Sequence, residues 1–222
     1  MFDDLAPVYD PLNRLLSFGM DVVWRRRMVR MVAACNPSRI VDVATGTADL
    51  AIGMARRTAA SVTGCDLSRG MLEVGRRKVT AAALDSRIEL VVDDAENSAL
   101  DSDIADCVTV CFGIRNFRDK LSALKHMHRV LRSGGRCMVM EFSVPRGRLF
   151  GSLYRFYFHR ILPAAGGLLS GRRKSYDYLP RSVDGFPEPR QFEELMRRAG
   201  FSQVSSRPLT FGVAYIYTGI KR

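Results

Sequence analysis

Ile40-Val41-Asp42-Val43-Ala44-Thr45-Gly46-Thr47-Ala48-Asp49-Leu50 is the stretch that decides the fold. An apolar run ends in a carboxylate, turns through small residues and enters a helix-like segment. Asp66 closes a second apolar run, Ser61-Val62-Thr63-Gly64-Cys65. Two strand–helix units with an acid near each strand's C-terminal end describe a nucleoside-binding α/β sheet. Small residues let the backbone approach a ligand, and the second carboxylate can accept hydrogen bonds from ribose hydroxyls.

The turn is not a dinucleotide fingerprint, because it lacks the third glycine. It is not a P-loop either, because no Gly-Lys-Ser/Thr follows. Asp42 stands where it would meet a cationic ligand and repel a pyrophosphate. That sign points to S-adenosylmethionine, whose sulfonium and amino groups are positive.

Working outward, strand-like runs are expected at 40–43, 62–65, 88–92, 107–112 and 136–142. Helix-like runs alternate with them at 49–58, 71–83 and 120–131, and Ser133-Gly134-Gly135 separates the last helix from the next strand. This alternation predicts a parallel, doubly wound sheet. Residues 1–36 read as an N-terminal helical segment, with Trp24 opening a basic amphipathic stretch. After Glu141 the rhythm breaks, and 143–185 reads as a helical cover over the site. A helix at 189–199 and two strands near 203–208 and 213–220 complete a single domain over 1–222, one terminal strand running antiparallel.

The 222 residues are enough to bury a substantial core. No apolar run reaches transmembrane length, and the acidic start Met-Phe-Asp-Asp is no signal peptide. Cys35, Cys65, Cys107, Cys111 and Cys137 form no CxxC pair or Cys/His cluster. They read as reduced thiols of a cytoplasmic protein, and no metal is expected. The net charge of +11, with arginine far outnumbering lysine, suits nucleic acid or anionic lipid on electrostatic grounds. The positive charge at Arg25-Arg26-Arg27 and Arg30, and again from Arg155 to Arg181, is mixed with large apolar residues. That mixture favours peripheral contact with a membrane.

Six motifs in order resemble the ubiquinone/menaquinone biosynthesis C-methyltransferase family. They are Phe2-Asp3-Asp4-Leu5-Ala6-Pro7-Val8-Tyr9-Asp10, Ser17-Phe18-Gly19 with Trp24-Arg25, and Asp42-Val43-Ala44-Thr45-Gly46-Thr47. Phe112-Gly113-Ile114-Arg115-Asn116, Glu141-Phe142-Ser143-Val144-Pro145 and Ser175-Tyr176-Asp177-Tyr178-Leu179 follow. The resemblance spans Phe2 to Lys221. It implies a class I S-adenosylmethionine-dependent methyltransferase with a Rossmann-like, seven-stranded sheet. Ala48 departs from the family pattern, which has glycine there; its methyl would tighten the turn, or shift it if the backbone needs positive φ.

The resemblance implies roles residue by residue. Gly46 and Thr47 line the methionine end of the cofactor, with Asp42 near its positive charge. Asp66 holds the ribose hydroxyls, Met71 lies against adenine, Asp94 and Ala95 flank it, and Cys111 lies near the methyl-donor end. The implied reaction is methylation of a ring carbon of a prenylated quinol, activated by loss of a phenol proton. A phenol titrates at about 10, so the site must favour phenolate. Arg115 is the expected stabilising cation, Asn116 orients the oxygen or a water, and Tyr9 is the other candidate at the methyl-donor end. Water or hydroxide takes the proton, because arginine is too basic to do so. Tyr176, Tyr178 and Phe158 are expected at the quinone ring. Two other readings stay open: a methyltransferase of another prenyl or aromatic metabolite, and a basic nucleic-acid-binding protein. The second lacks the Asn/Asp-Pro-Pro-aromatic motif, so no nucleic-acid partner is expected. The cover reads equally as a lipid-facing lid that admits the prenyl tail, or as a homodimer interface or closed packing on the sheet.

Overall fold

The computed structural model describes residue 17, residues 19–145 and residues 182–222. In chain order the main elements are α1 (Met20–Ala33), β1 (Arg39–Val43), α2 (Asp49–Arg57), β2 (Ser61–Asp66), α3 (Arg69–Ala81) and β3 (Ile88–Val92). Then come β4 (Ala105–Cys111), α4 (Lys120–Val130), β5 (Leu131–Phe142), α5 (Pro189–Arg198), β6 (Ser202–Leu209) and β7 (Ala214–Ile220). The strands form one seven-stranded sheet in the order β3-β2-β1-β4-β5-β7-β6. Strands β1 to β5 run parallel, while β7 is antiparallel to both β5 and β6. The doubly wound sheet and its antiparallel strand follow the sequence expectation.

Covering both faces with helices explains why β1 and β4 are almost continuously apolar. Alternate residues enter different cores. Ile40, Cys107 and Met138 pack with α1 and α2, on one face. Val41, Val43, Val108 and Val139 pack with α4 and α5 on the other. Asp42 shares parity with Ile40, so it enters the α1/α2 side. Its cross-strand partner is Thr109. That register puts a hydroxyl beside a buried carboxylate.

Local chemistry sets the helix ends. The Ser68 hydroxyl accepts from Met71 N at 3.2 Å, so α3 starts two residues before the predicted boundary. Asp119 accepts from Ser122 N at 2.9 Å and caps α4. Glu188 and Gln191 close a capping box on α5, with Pro189 in its first turn. The largest boundary difference is β5, which begins at Leu131 rather than 136. Leu131 pairs with Ala105, and Gly134 N donates to Lys221 O at 2.8 Å, so tertiary pairing keeps the glycine stretch extended. Strand β4 ends at Cys111 rather than 112, because Phe112 turns to φ 59°.

Strand order reverses between β1 and β4. In open parallel sheets, ligands bind outside the C-terminal strand ends at such a switch point.

Candidate active site

A cavity of about 200 Å³ opens there. It gathers Gly46 after β1, Asp66 at the end of β2, Met71 on α3, Asp94 and Ala95 after β3, Cys111 at the end of β4 and Asn116 in the turn that follows. All seven are residues that the sequence singled out. A second hollow of about 30 Å³ shares Ala44, Gly46, Cys111 and Phe112 with it, and adds Asp42, Thr47, Arg25 and Asp49. A larger cleft of about 360 Å³ lies at the opposite end of the strands, around Arg39, Ser61 and Ile88. The predicted chemistry converges on the first two.

Asp66 ties the two acidic loops together. One carboxylate oxygen accepts from Gly46 N and the other from Ser68 N, both at 2.9 Å. These bonds hold the acid at the mouth of β2 while it lines the cavity. Asp94 accepts from Glu96 N at 2.9 Å, which makes a tight turn of its loop. Met71 is 3% exposed yet lines the cavity, so it serves both the helix core and the cavity wall.

Asp42 is 1% exposed. Its two oxygens accept from Thr109 Oγ1 at 2.6 Å and Thr45 Oγ1 at 2.7 Å. Burial pushes its carboxyl up to about 6; the two hydroxyls oppose that shift. The Thr47 hydroxyl accepts from Lys78 Nζ at 3.1 Å, and Lys78 also pairs with Asp49. Ala48 has φ 64° and is fully buried at the start of α2. The backbone therefore does need positive φ here, and the chain adopts it with a methyl group present.

The turn after β4 is shaped by close packing. A Cβ on Gly113 would stand 2.5 Å from the Ala44 methyl, so only glycine brings the β1 and β4 loops together here. Behind the turn, Phe112 stacks on Phe142 at 4.3 Å, and Trp24 meets Phe142 edge-on at 6.0 Å. These aromatics wall off the α1 side.

Arg115 is tied into the turn that follows β4. Its Nη1 donates to Glu141 Oε1 at 2.7 Å and to Phe112 O at 2.5 Å. The side chain is 6% exposed and that of Glu141 is fully buried. Arg115 does not line either cavity, while its neighbour Asn116 lines the larger one. Tyr9, Phe158, Tyr176 and Tyr178 lie outside the described residues, as do 146–181, which hold most of the expected cover.

The sequence reading missed Leu67, Phe112, Gly113, Phe117 and Glu96 on the larger cavity, and Arg25 and Asp49 on the smaller. Leu67, Phe112 and Gly113 adjoin predicted residues at strand ends, which was an available signal. Arg25 reaches the site from α1, and strand–turn–helix reasoning is blind to that approach.

This sheet, with its acids and glycine turn at the β1/β4 switch, is that of a class I S-adenosylmethionine-dependent methyltransferase. A methyltransferase from Thermotoga maritima has the same fold, with TM-score 0.68 at 18% identity over 100% of this chain and 98% of that one. A phosphoethanolamine N-methyltransferase of Haemonchus contortus, solved with S-adenosyl-L-methionine, matches with TM-score 0.62 and 17% identity over 83% of this chain and 48% of that one.

The chain belongs to the ubiE/COQ5 methyltransferase family, whose model matches residues 1–221. It is 48% identical to the ubiquinone/menaquinone biosynthesis C-methyltransferase UbiE of Geobacter sulfurreducens, over 100% of this chain and 87% of that one. It is 47% identical to a demethylmenaquinone methyltransferase of Thermus thermophilus, over 99% of both. The chain is thus an S-adenosylmethionine-dependent methyltransferase of quinone biosynthesis.

Proposed function

We propose that the protein methylates a ring carbon of demethylmenaquinol. The carrying observation is the end-to-end match to a relative named for that substrate.

The residues present fit the cofactor. Asp66, at the cavity mouth, suits the ribose hydroxyl pair. Met71, Ala95, Leu67 and Phe117 offer apolar surface for adenine, and Asp94 an acceptor for its amine. Gly46, Thr47 and the buried Asp42 lie toward the smaller hollow, which suits the positively charged methionine end. S-Adenosylmethionine supplies an electrophilic methyl group on a sulfonium.

The quinol carbon becomes nucleophilic as a neighbouring phenol loses its proton to water or hydroxide. Attack of this carbon on the methyl group would form the new carbon–carbon bond as the methyl–sulfur bond breaks and leaves a neutral thioether, and loss of the ring proton would restore aromaticity. Opposite charges cancel in this transfer, so exclusion of water lowers its barrier. The Trp24–Phe112–Phe142 wall supports that exclusion on one side. Asn116 faces the cavity and is the described residue best placed to orient the phenol oxygen or a water. With Arg115 paired to Glu141, the two carry no net charge and set the turn that presents Asn116. From the family resemblance we also assign Tyr9 to the methyl-donor end and Phe158, Tyr176 and Tyr178 to the quinone ring; all four lie outside the described residues.

We infer peripheral membrane contact as well, since the substrate carries a prenyl tail. Among the described residues no helix is long and apolar enough to cross a membrane. On α1, Arg26, Arg27 and Arg30 are exposed beside Val23, which is 51% exposed; this mixture suits anionic lipid. Retention by anionic vesicles at moderate salt tests it, and no retention removes it.

The reaction is tested with purified protein, labelled S-adenosylmethionine and short-tailed demethylmenaquinol or demethylated benzoquinol. Label in the naphthoquinol ring is the expected result. Label only in the benzoquinol, or in neither, overturns the assignment.

A further inference from the structure

We propose that Glu96 is a positioning residue that couples the two sides of the site, so that cofactor and quinol each tighten the binding of the other. It stands in the loop after β3 and lines the larger cavity with Asp94 and Ala95. The same cavity receives Gly113, Asn116 and Phe117 from the turn after β4. In the sheet, β2 and β1 lie between β3 and β4, so no strand ladder ties that loop to that turn.

Glu96 makes the tie across the strand ends. One carboxylate oxygen accepts from Arg118 N at 2.9 Å and the other from Asp119 N at 2.8 Å. Its carbonyl accepts from Ser122 Oγ, in the first turn of α4, at 3.1 Å. Hydrogen bonds from backbone N–H groups to an ionised carboxylate are roughly twice as strong as neutral ones. The start of a helix also favours the negative charge.

Each segment is braced on its own side. Glu96 N donates to Asp94 Oδ1 and Asn97 N to Asp94 O, both at 2.9 Å, so Glu96 and Asp94 share one tight turn. In the other segment, Asn116 N donates to Gly113 O at 3.0 Å and Phe117 N to Ile114 O at 3.2 Å. Lys120 Nζ closes that turn by donating to Phe117 O at 2.9 Å. A ligand that orders either segment therefore orders the other through the Glu96 carboxylate. The ordering entropy is then lost once for two ligands, which is positive coupling without a change of shape.

This coupling rests on the cofactor and quinol sides proposed above. Failure of that reading would show separately, as no binding of one of the two ligands to the unaltered protein.

Calorimetric titration of the full chain tests the proposal. The probes are S-adenosylhomocysteine, which has no methyl group to transfer, and short-tailed demethylmenaquinol kept reduced. Each is titrated alone and with the other bound. In the unaltered protein each ligand is expected to tighten the other by about fivefold or more, by the same factor in both directions. Glu96→Ala should bring that factor to within about twofold of unity. A Glu96 that only stabilises the fold would lower the thermal midpoint and leave the factor unchanged. An unchanged factor in the variant, or no coupling in the unaltered protein, overturns the proposal. Should Glu96→Ala fail to fold, Glu96→Gln keeps one acceptor and sets a donor against the second N–H. The factor should fall in that variant too, and a full factor refutes the proposal.

Discussion

The guanidinium of Arg115 and the carboxylate of Glu141 meet at 2.7 Å at the C-terminal end of β5. Glu141 also accepts from Arg115 N at 3.1 Å and Phe142 N at 2.8 Å, so one buried acid organises the whole turn. Removing the arginine strands a buried charge, which costs about 3–5 kcal/mol. Arg115→Ala should lose about that much in chemical denaturation, and adding Glu141→Gln should restore a large part by removing the charge. If Arg115→Ala keeps full stability and cofactor affinity but loses turnover, the guanidinium acts on substrate rather than on the turn.

Asp42 links cofactor binding to pH. Its folded carboxyl, at about 6, lies above the ordinary value of 3.8 because of burial, with Asp66 adding to the rise and Arg25 opposing it. The folded state therefore binds this proton more tightly. The resulting stability is fully present below about 3.8 and is lost as pH rises through about 6. A cationic ligand prefers the ionised form, so S-adenosylmethionine affinity should rise about tenfold from pH 5 to pH 7. Asp42→Asn should bind weakly and flatten the profile. An unchanged slope in that variant would place the titrating group elsewhere.

Ala48 and Gly75 are complementary. A Cβ on Gly75 would lie 3.3 Å from the Ala48 methyl and 3.0 Å from Leu90 Cδ1. Gly75→Ala gains up to about 1 kcal/mol of helix propensity but overpacks this contact by about 1–3 kcal/mol. Its net cost should shrink in an Ala48→Gly background, which relieves both the contact and the φ 64° backbone. Additive thermal shifts in a double-mutant cycle would show that the methyl does not reach Gly75.

Tyr217 is fully buried, and its hydroxyl has no hydrogen-bond partner among the described residues. The ring packs edge-on against Phe192 at 4.6 Å, which phenylalanine would preserve. An unsatisfied buried hydroxyl costs about 1–3 kcal/mol, so Tyr217→Phe should leave stability unchanged or raise it by that order. A loss of more than about 1 kcal/mol in denaturant titration would reveal a bond to this oxygen.

The alternation of apolar runs, the Asp42–Thr47 turn and Asp66 determined the parallel sheet and one wall of the site, because period and turn chemistry are local properties of the chain. Gly46, Asp66, Met71, Asp94, Ala95, Cys111 and Asn116 were legible because strand ends in an open sheet converge in space. Tertiary structure alone decided that Arg115 turns to Glu141, that Thr109 meets Asp42, and that Arg25 enters from α1. Each depends on strand register or helix docking across long sequence separations. Side-chain direction there follows from which faces bury together, and no local pattern encodes it.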